Sequence, residues 1–124
     1  MLAQRPFVGF LLVTDAARAK EFYCDVLGLP LRHEDDFAVV VDAGGTLLRL
    51  AIVPDVPEPL GTNAGWLVDD VNAAARSLAA AGVTFERFPG MEQDIDGVWQ
   101  PPEGGGVAWF RDPDGNRLSL SRRS

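Results

Sequence analysis

The chain has one cysteine, Cys24, and one histidine, His33, among its 124 residues. A single cysteine excludes an internal disulfide and a cysteine-based zinc cluster, a usage that suits a reducing compartment. A single histidine excludes any metal site that takes two histidines from one chain. Positive charge is also scarce: 11 Lys and Arg against 18 Asp and Glu leave a net charge of -7, which opposes association with nucleic acid or anionic lipid. No apolar run approaches the ~20 residues needed to cross a bilayer. Met1 to Pro6 has none of the charged start, apolar stretch and small-residue cleavage site of a secretory signal. The expectation is a cytoplasmic protein without nucleic-acid or membrane partners. Also missing are a Gly-x-Ser-x-Gly elbow, a Gly-Lys-Ser or Gly-Lys-Thr phosphate loop and a dinucleotide glycine fingerprint. Gly104-Gly105-Gly106 precedes a strand and not a helix, so it supplies flexibility and no phosphate site.

What is present is an ordinary globular composition, 47% apolar and 23% charged, on a chain long enough for one domain, 1–124. Phe7 to Val13 reads as a strand running into a Thr14-Asp15 cap. From Ala16 to Leu27 the apolar positions recur at helical spacing, and Gly28 stands at the C-cap position. Leu29 to His33, Phe37 to Asp42 and Thr46 to Val53 are three further strands. Pro54 to Gly61, with its prolines and glycine, is an extended connector. The order then starts again: strand Asn63 to Val68, cap Asp69-Asp70, helix Val71 to Ala81, Gly82, and strands Val83 to Phe88, Val107 to Arg111 and Asn116 to Ser121. The chain is therefore two βαβββ modules, about 5–54 and about 62–122, joined by a linker at about 54–61. The copies align: Val13-Thr14-Asp15 with Val68-Asp69-Asp70, Gly28 with Gly82, and Gly45 to Leu50 with Gly115 to Leu120. The second copy also carries a Gly-, Pro- and acid-rich insertion, Pro89 to Gly106, and a loop of that length in a compact domain is more often functional than idle.

Alternation along the strands assigns faces. Leu48, Leu50, Ile52, Leu118 and Leu120 pack beneath the helices. Val8, Phe10, Leu12, Arg49, Asn63, Gly65, Leu67, Trp109, Arg111 and Ser119 turn the other way. A sheet face that mixes large apolar groups with a few polar ones suits a ligand pocket.

Val13-Thr14-Asp15 leading to Glu21-Phe22-Tyr23-Cys24-Asp25-Val26-Leu27-Gly28-Leu29, then Val68-Asp69-Asp70-Val71, then Ala108-Trp109-Phe110-Arg111-Asp112-Pro113-Asp114-Gly115-Asn116 together resemble the vicinal oxygen chelate superfamily of glyoxalases, bleomycin resistance proteins, fosfomycin resistance enzymes and extradiol dioxygenases. The resemblance implies an α+β fold in which two tandem βαβββ modules form a curled mixed sheet around a cavity, within a homodimer. It also implies a metal held by the first and last strands of each module. The corresponding residues here are Val8, Asn63, Arg49 and Ser119. Val8 has no lone pair, Arg49 is cationic, and Asn63 and Ser119 are weak ligands, so no metal and no cofactor are expected. Arg49 either offers its fork of donors to a ligand carboxylate or carbonyl, with Arg111 beside it, or pairs with Glu86 or a loop acid. Trp109 on the cavity face and Trp99 on the long loop either stack on a flat or cationic ligand or fill core or dimer surface.

The remaining chemistry-bearing residues have plainer readings. His33, by parity, stands away from Arg49 and is held by the neighbouring Glu34-Asp35-Asp36. Asp112 to Gly115 is a tight turn and not a calcium loop. Asp94 and Asp96 belong to a solvated acidic loop, and Cys24 is a packing residue. The expected function is binding of a small aromatic or heterocyclic molecule without a metal, for sequestration or resistance in the manner of bleomycin resistance proteins. Val8, Phe10, Arg49, Asn63, Trp99, Trp109, Arg111 and Ser119 are the expected ligand-binding residues, and no catalytic residue is assigned. The alternative is a glyoxalase- or dioxygenase-type lyase or isomerase with an unorthodox or metal-independent centre.

Overall fold

The structure, a computed structural model, describes residues 1–122. Its fold is α+β, with one four-stranded and one three-stranded sheet. Its contacts divide the chain into two compact units, Met1–Pro57 and the remainder from Glu58 onward, and the division falls within the Pro54 to Gly61 connector. No helix among the described residues is long and apolar enough to cross a membrane.

In the first unit, β1 (Val8–Val13), β2 (Leu31–Glu34), β3 (Ala38–Asp42) and β4 (Leu47–Ile52) form one sheet in the order β1-β4-β3-β2. β1 runs parallel to β4, and the other pairs are antiparallel. Helix α1 (Ala16–Lys20) starts at Asp15, whose carboxylate accepts a hydrogen bond from the Arg18 amide at 3.0 Å. The helix expected to continue evenly to Leu27 instead widens over Glu21–Val26 into a π turn, with the Leu27 amide donating to the Phe22 carbonyl five residues back at 2.9 Å. Tyr23, fully buried, sits in that turn with its ring edge-on to Phe22 at 5.1 Å. Gly28 then adopts φ +77°, a conformation that a Cβ would strain, and releases the chain towards β2. The core is Ala19 of the helix with Leu11, Val13, Val39, Val41, Leu48 and Leu50 at alternate strand positions, while β3 is buried on its other face too, at Ala38 and Val40. Burying each of the larger members contributes about 1.5–3 kcal/mol.

In the second unit, β5 (Ala64–Leu67), α2 (Val71–Ala80), β6 (Val107–Arg111) and β7 (Arg117–Ser121) repeat the arrangement, in the sheet order β5-β7-β6. β5 is parallel to β7, which is antiparallel to β6. The caps repeat too, since the Asp70 carboxylate accepts from the Ala73 amide at 3.0 Å. The core is Val71, Ala75, Ala108, Phe110, Leu118 and Leu120. Asp112 and Asn116, both buried, close the β6–β7 turn: the Asp112 carboxylate accepts from the amides of Asp114 and Asn116 and from Asn116 Nδ2. The tight turn expected there is thus observed.

One expected element is nearly absent. Val83 to Phe88 is not a strand but a single bridge, Phe85 opposite Phe110. The Glu86 amide still donates to the Trp109 carbonyl of β6 at 2.8 Å, but the Gln93 side chain accepts from the Phe88 amide at 2.9 Å and donates to the Glu86 carbonyl at 2.8 Å.

Candidate functional site

The repeat places equivalent residues in equivalent registers. In the first unit, Phe10 is opposite Arg49, and Arg49 is opposite Val40 on its other side. In the second, Gly65 is opposite Ser119, and Ser119 is opposite Trp109. Paired residues share a face, so these two rows lie on the faces turned away from the helices, as the alternation indicated.

On the first sheet the row is Phe10, Arg49, Val40. Phe10 is 61% exposed although it lies mid-strand, whereas Val40 is 8% exposed and closes the floor beside Arg49. Val8, 41% exposed, lies one pair along, opposite Leu47. The row extends to His33, which pairs with Val40, because the register of β2 shifts between Leu31 and His33. Simple parity had placed His33 away from Arg49; the bulge returns it to the Arg49 face. Its Nε2 lies 3.1 Å from the Asp35 carboxylate, as its acidic neighbours led one to expect. The Phe37 amide first, then His33, hold the Asp35 carboxyl below the ordinary value.

Four arginines lie on the strands: Arg32, Arg49, Arg111 and Arg117. Arg32 reaches Asp42 at 2.8 Å, Arg111 reaches Glu58 at 2.7 Å and Glu86 at 3.1 Å, and Arg117 reaches Glu86 at 2.8 Å. The guanidinium of Arg49, half-buried, has no hydrogen-bond or ion-pair partner among the described residues. Glu86, one of the partners expected for it, is committed to Arg117 and Arg111. Their hydrogen bonds, those of Arg117 foremost, outweigh burial and hold the Glu86 carboxyl below its usual range.

The second sheet's open face is aromatic. Trp109 and Trp99 lie 6.3 Å apart at 31°, and Phe88 meets Trp109 edge-on at 5.4 Å. The Arg117 guanidinium lies 5.5 Å from the Phe88 ring centre. Trp109 Nε1 donates to the Thr62 hydroxyl at 3.1 Å. Trp99 is fixed by paired backbone bonds with Val107, both 2.8 Å. Ser119 stands so close to Gly65 that a Cβ on the glycine would come within 2.2 Å of the Ser119 hydroxyl oxygen. Thus Trp99, Trp109, Arg111 and Ser119 are brought together. Asn63 lies at the start of the face, its side-chain oxygen accepting from the Arg117 amide at 3.0 Å. Phe88 and Thr62 were not foreseen; the Glu86-x-Phe88 alternation carried the signal for Phe88.

The long loop beside this face is built, not slack. Arg87 donates to the carbonyls of Gln93, Asp94 and Ile95. The Asp94 carboxylate accepts from the amides of Asp96 and Val98, and Asp96 pairs with Arg76 at 2.9 Å. These acids organise a loop in which Glu92, Asp94 and Ile95 are exposed, as expected of a solvated stretch. An open recess of about 740 Å³ runs along it, lined in part by Phe88, Met91, Glu92 and Trp99. Cys24, half-buried in the π turn, has its thiol pushed up by burial and by Asp25, which disfavours the reactive thiolate.

The positions that the resemblance assigns to a metal do not suit one. In the first unit, Val8 offers no donor and Arg49 a positive charge; in the second, the Asn63 oxygen already accepts a hydrogen bond and Ser119 is a neutral hydroxyl. No group of three His, Cys, Asp or Glu side chains among the described residues is placed to hold a metal ion.

A family model, the Glyoxalase/Bleomycin resistance protein/Dioxygenase superfamily, matches residues 6–120. No curated protein matches at a significant level. Among solved structures, the chain is similar to a member of that superfamily from Sphaerobacter thermophilus, at 24% identity and TM-score 0.76 over 99% of this chain and 100% of the other. It is similar to a lactoylglutathione lyase from Agrobacterium tumefaciens at 19% identity and TM-score 0.73, over 96% and 93% of the two chains. A glyoxalase family protein from Enterococcus faecalis gives 19% identity and TM-score 0.75 over 98% and 99%.

Proposed function

The chain belongs to the Glyoxalase/Bleomycin resistance protein/Dioxygenase superfamily, and from that membership we propose that it binds a small aromatic or heterocyclic molecule without the help of a metal. The observation that carries this reading is on the first sheet. Phe10, 61% exposed in the middle of a strand, stands opposite Arg49, a guanidinium with no partner among the described residues. Exposed aromatic surface next to an uncommitted donor fork is what a ligand with a flat apolar body and an acceptor group requires. On the second sheet, Trp99, Trp109, Arg111 and Ser119 form a face of the same make-up, with Arg111 balanced by Glu58 and Glu86. Sequestration of such a molecule, as in bleomycin resistance, is the version that needs no catalytic residue. A homodimer in a cytoplasmic setting completes the proposal; exposed Phe7 and Phe37, each 74% accessible, support self-association, which sedimentation equilibrium tests.

The binding experiment is a ligand-observed NMR and tryptophan-fluorescence screen of aromatic and heterocyclic compounds against the purified protein. Binders whose affinity falls in Arg49→Met or Trp109→Phe are expected. A stoichiometric divalent cation that is lost in Asn63→Ala, or turnover that depends on one, would overturn the reading.

A further inference from the structure

We propose that the first sheet's open face selects an anion: a small aryl or heteroaryl carboxylate whose ring lies against Phe10 and whose carboxylate takes the guanidinium of Arg49. This rests on the binding reading above and adds the class of ligand.

The argument begins with charge. With 18 acidic residues against 11 basic ones, the chain has carboxylates to spare for its arginines, and the other three strand arginines each hold at least one. Arg49 holds none among the described residues, although an acid stands on the same sheet face. Asp42 shares its face, opposite Leu47 and two residues along β4 from Arg49. Asp42 turns instead to Arg32 at 2.8 Å and to the Gly45 amide at 2.7 Å, and those bonds, Arg32 foremost, hold its carboxyl below the usual range. The acid on the face of Arg49 is therefore committed elsewhere. A half-buried guanidinium left in this way keeps its fork of donors for an acceptor that arrives from outside, and the fork fits a carboxylate with two parallel hydrogen bonds.

The neighbours of Arg49 give the rest of the ligand its character. Phe10 and Arg49 are directly opposite on adjacent parallel strands, about 4.8 Å apart in backbone spacing. That is the scale on which an aromatic ring and the carboxylate attached to it are separated. On the other side Val40 is almost closed, at 8% exposure, so the open apolar surface next to the guanidinium belongs to Phe10. An aliphatic acid would use Arg49 alone, whereas an aryl acid uses both residues. An amine would meet Arg49 as a like charge.

The test uses matched series built on one bicyclic aromatic scaffold: carboxylate, primary amide and aminomethyl forms, titrated calorimetrically into the wild-type protein and into Arg49→Met, Arg49→Lys and Arg76→Met. Arg76 lies on α2 and pairs with Asp96, so its variant removes an equal charge elsewhere. In wild type the carboxylate is expected to bind about 10-fold or more tighter than the amide, the scale of a charge-assisted hydrogen-bond pair, and the amine weakest. Arg49→Met should bring the carboxylate-to-amide ratio to about one, Arg49→Lys should leave an intermediate ratio, and Arg76→Met should leave the wild-type ratio. Circular dichroism confirms that each variant is folded. If the amide or amine binds as well as the carboxylate, or the ratio survives in Arg49→Met, the anion proposal falls while small-molecule binding stands. If no member of any series binds the folded wild-type protein at millimolar concentration, the binding reading falls with it.

Discussion

Glu86 accepts two hydrogen bonds from Arg117, Nε at 2.8 Å and Nη2 at 3.2 Å, and it also holds Arg111 Nε at 3.1 Å. One carboxylate thus restrains both arginines of the second sheet's open face.

Replacing Glu86 with Gln is expected to destabilise the protein by about 1–2 kcal/mol in urea unfolding, because both guanidinium groups lose a charged acceptor in a half-buried place. The effect has a direction in pH. The folded-state pKa of Glu86 lies below its unfolded value, so its contribution is fully present above about pH 4.3 and is lost as pH falls through the lower folded value. The gap between wild type and variant should therefore be constant near neutrality and shrink on acidification. A gap that widened towards acid would contradict this assignment.

Gly65 is without a side chain because Ser119 occupies the space: a Cβ there would meet the Ser119 hydroxyl at 2.2 Å and its backbone carbonyl at 3.0 Å. Gly65→Ala should cost about 1–3 kcal/mol by overpacking. Adding Ser119→Gly should recover the part due to the hydroxyl but not the part due to the carbonyl. A double-mutant cycle read by thermal unfolding checks this, with a favourable coupling expected.

Arg87 ties its side chain to three successive carbonyls, those of Gln93, Asp94 and Ile95. Arg87→Ala should raise the rate of limited proteolysis within 89–106 severalfold while global stability changes by about 1 kcal/mol or less. Equal cleavage rates in variant and wild type would show that the acids of the loop suffice to hold it.

Asp15 and Asp70 cap the two helices with bonds of the same length, 3.0 Å, to the third residue on. Asp15→Ala and Asp70→Ala should each cost about 0.5–2 kcal/mol, and they should add in the double variant, since the two caps belong to different units. Chemical denaturation of the three variants measures it.

These caps were plain in the sequence because they depend on residues only three apart, and so were the strand faces, which need nothing beyond a period of two. The features that were not legible depend on partners distant in the chain. The side on which His33 stands is set by a bulge against β3, which no count along β2 reveals. The widening of the first helix at Glu21 concerns which carbonyl an amide chooses, and the apolar spacing is compatible with either choice. Val83 to Phe88 has the composition of a strand, but beyond the one bridge to β6 the Gln93 side chain takes the Phe88 amide and the Glu86 carbonyl. For the candidate site, Phe10, Arg49, Trp109 and Ser119 followed from alternation and repeat together. That Arg49 alone among the strand arginines has no carboxylate partner among the described residues required the structure.

Positions 49 and 119 are one place in two copies of the same sheet, each set across from the first strand of its own half. A doubled scaffold of this kind lets the copies drift apart: one has acquired a cation beside an aromatic ring, the other a hydroxyl over a glycine. Symmetry in the backbone is thereby combined with difference in the side chains, so that each unit offers its own open face its own chemistry.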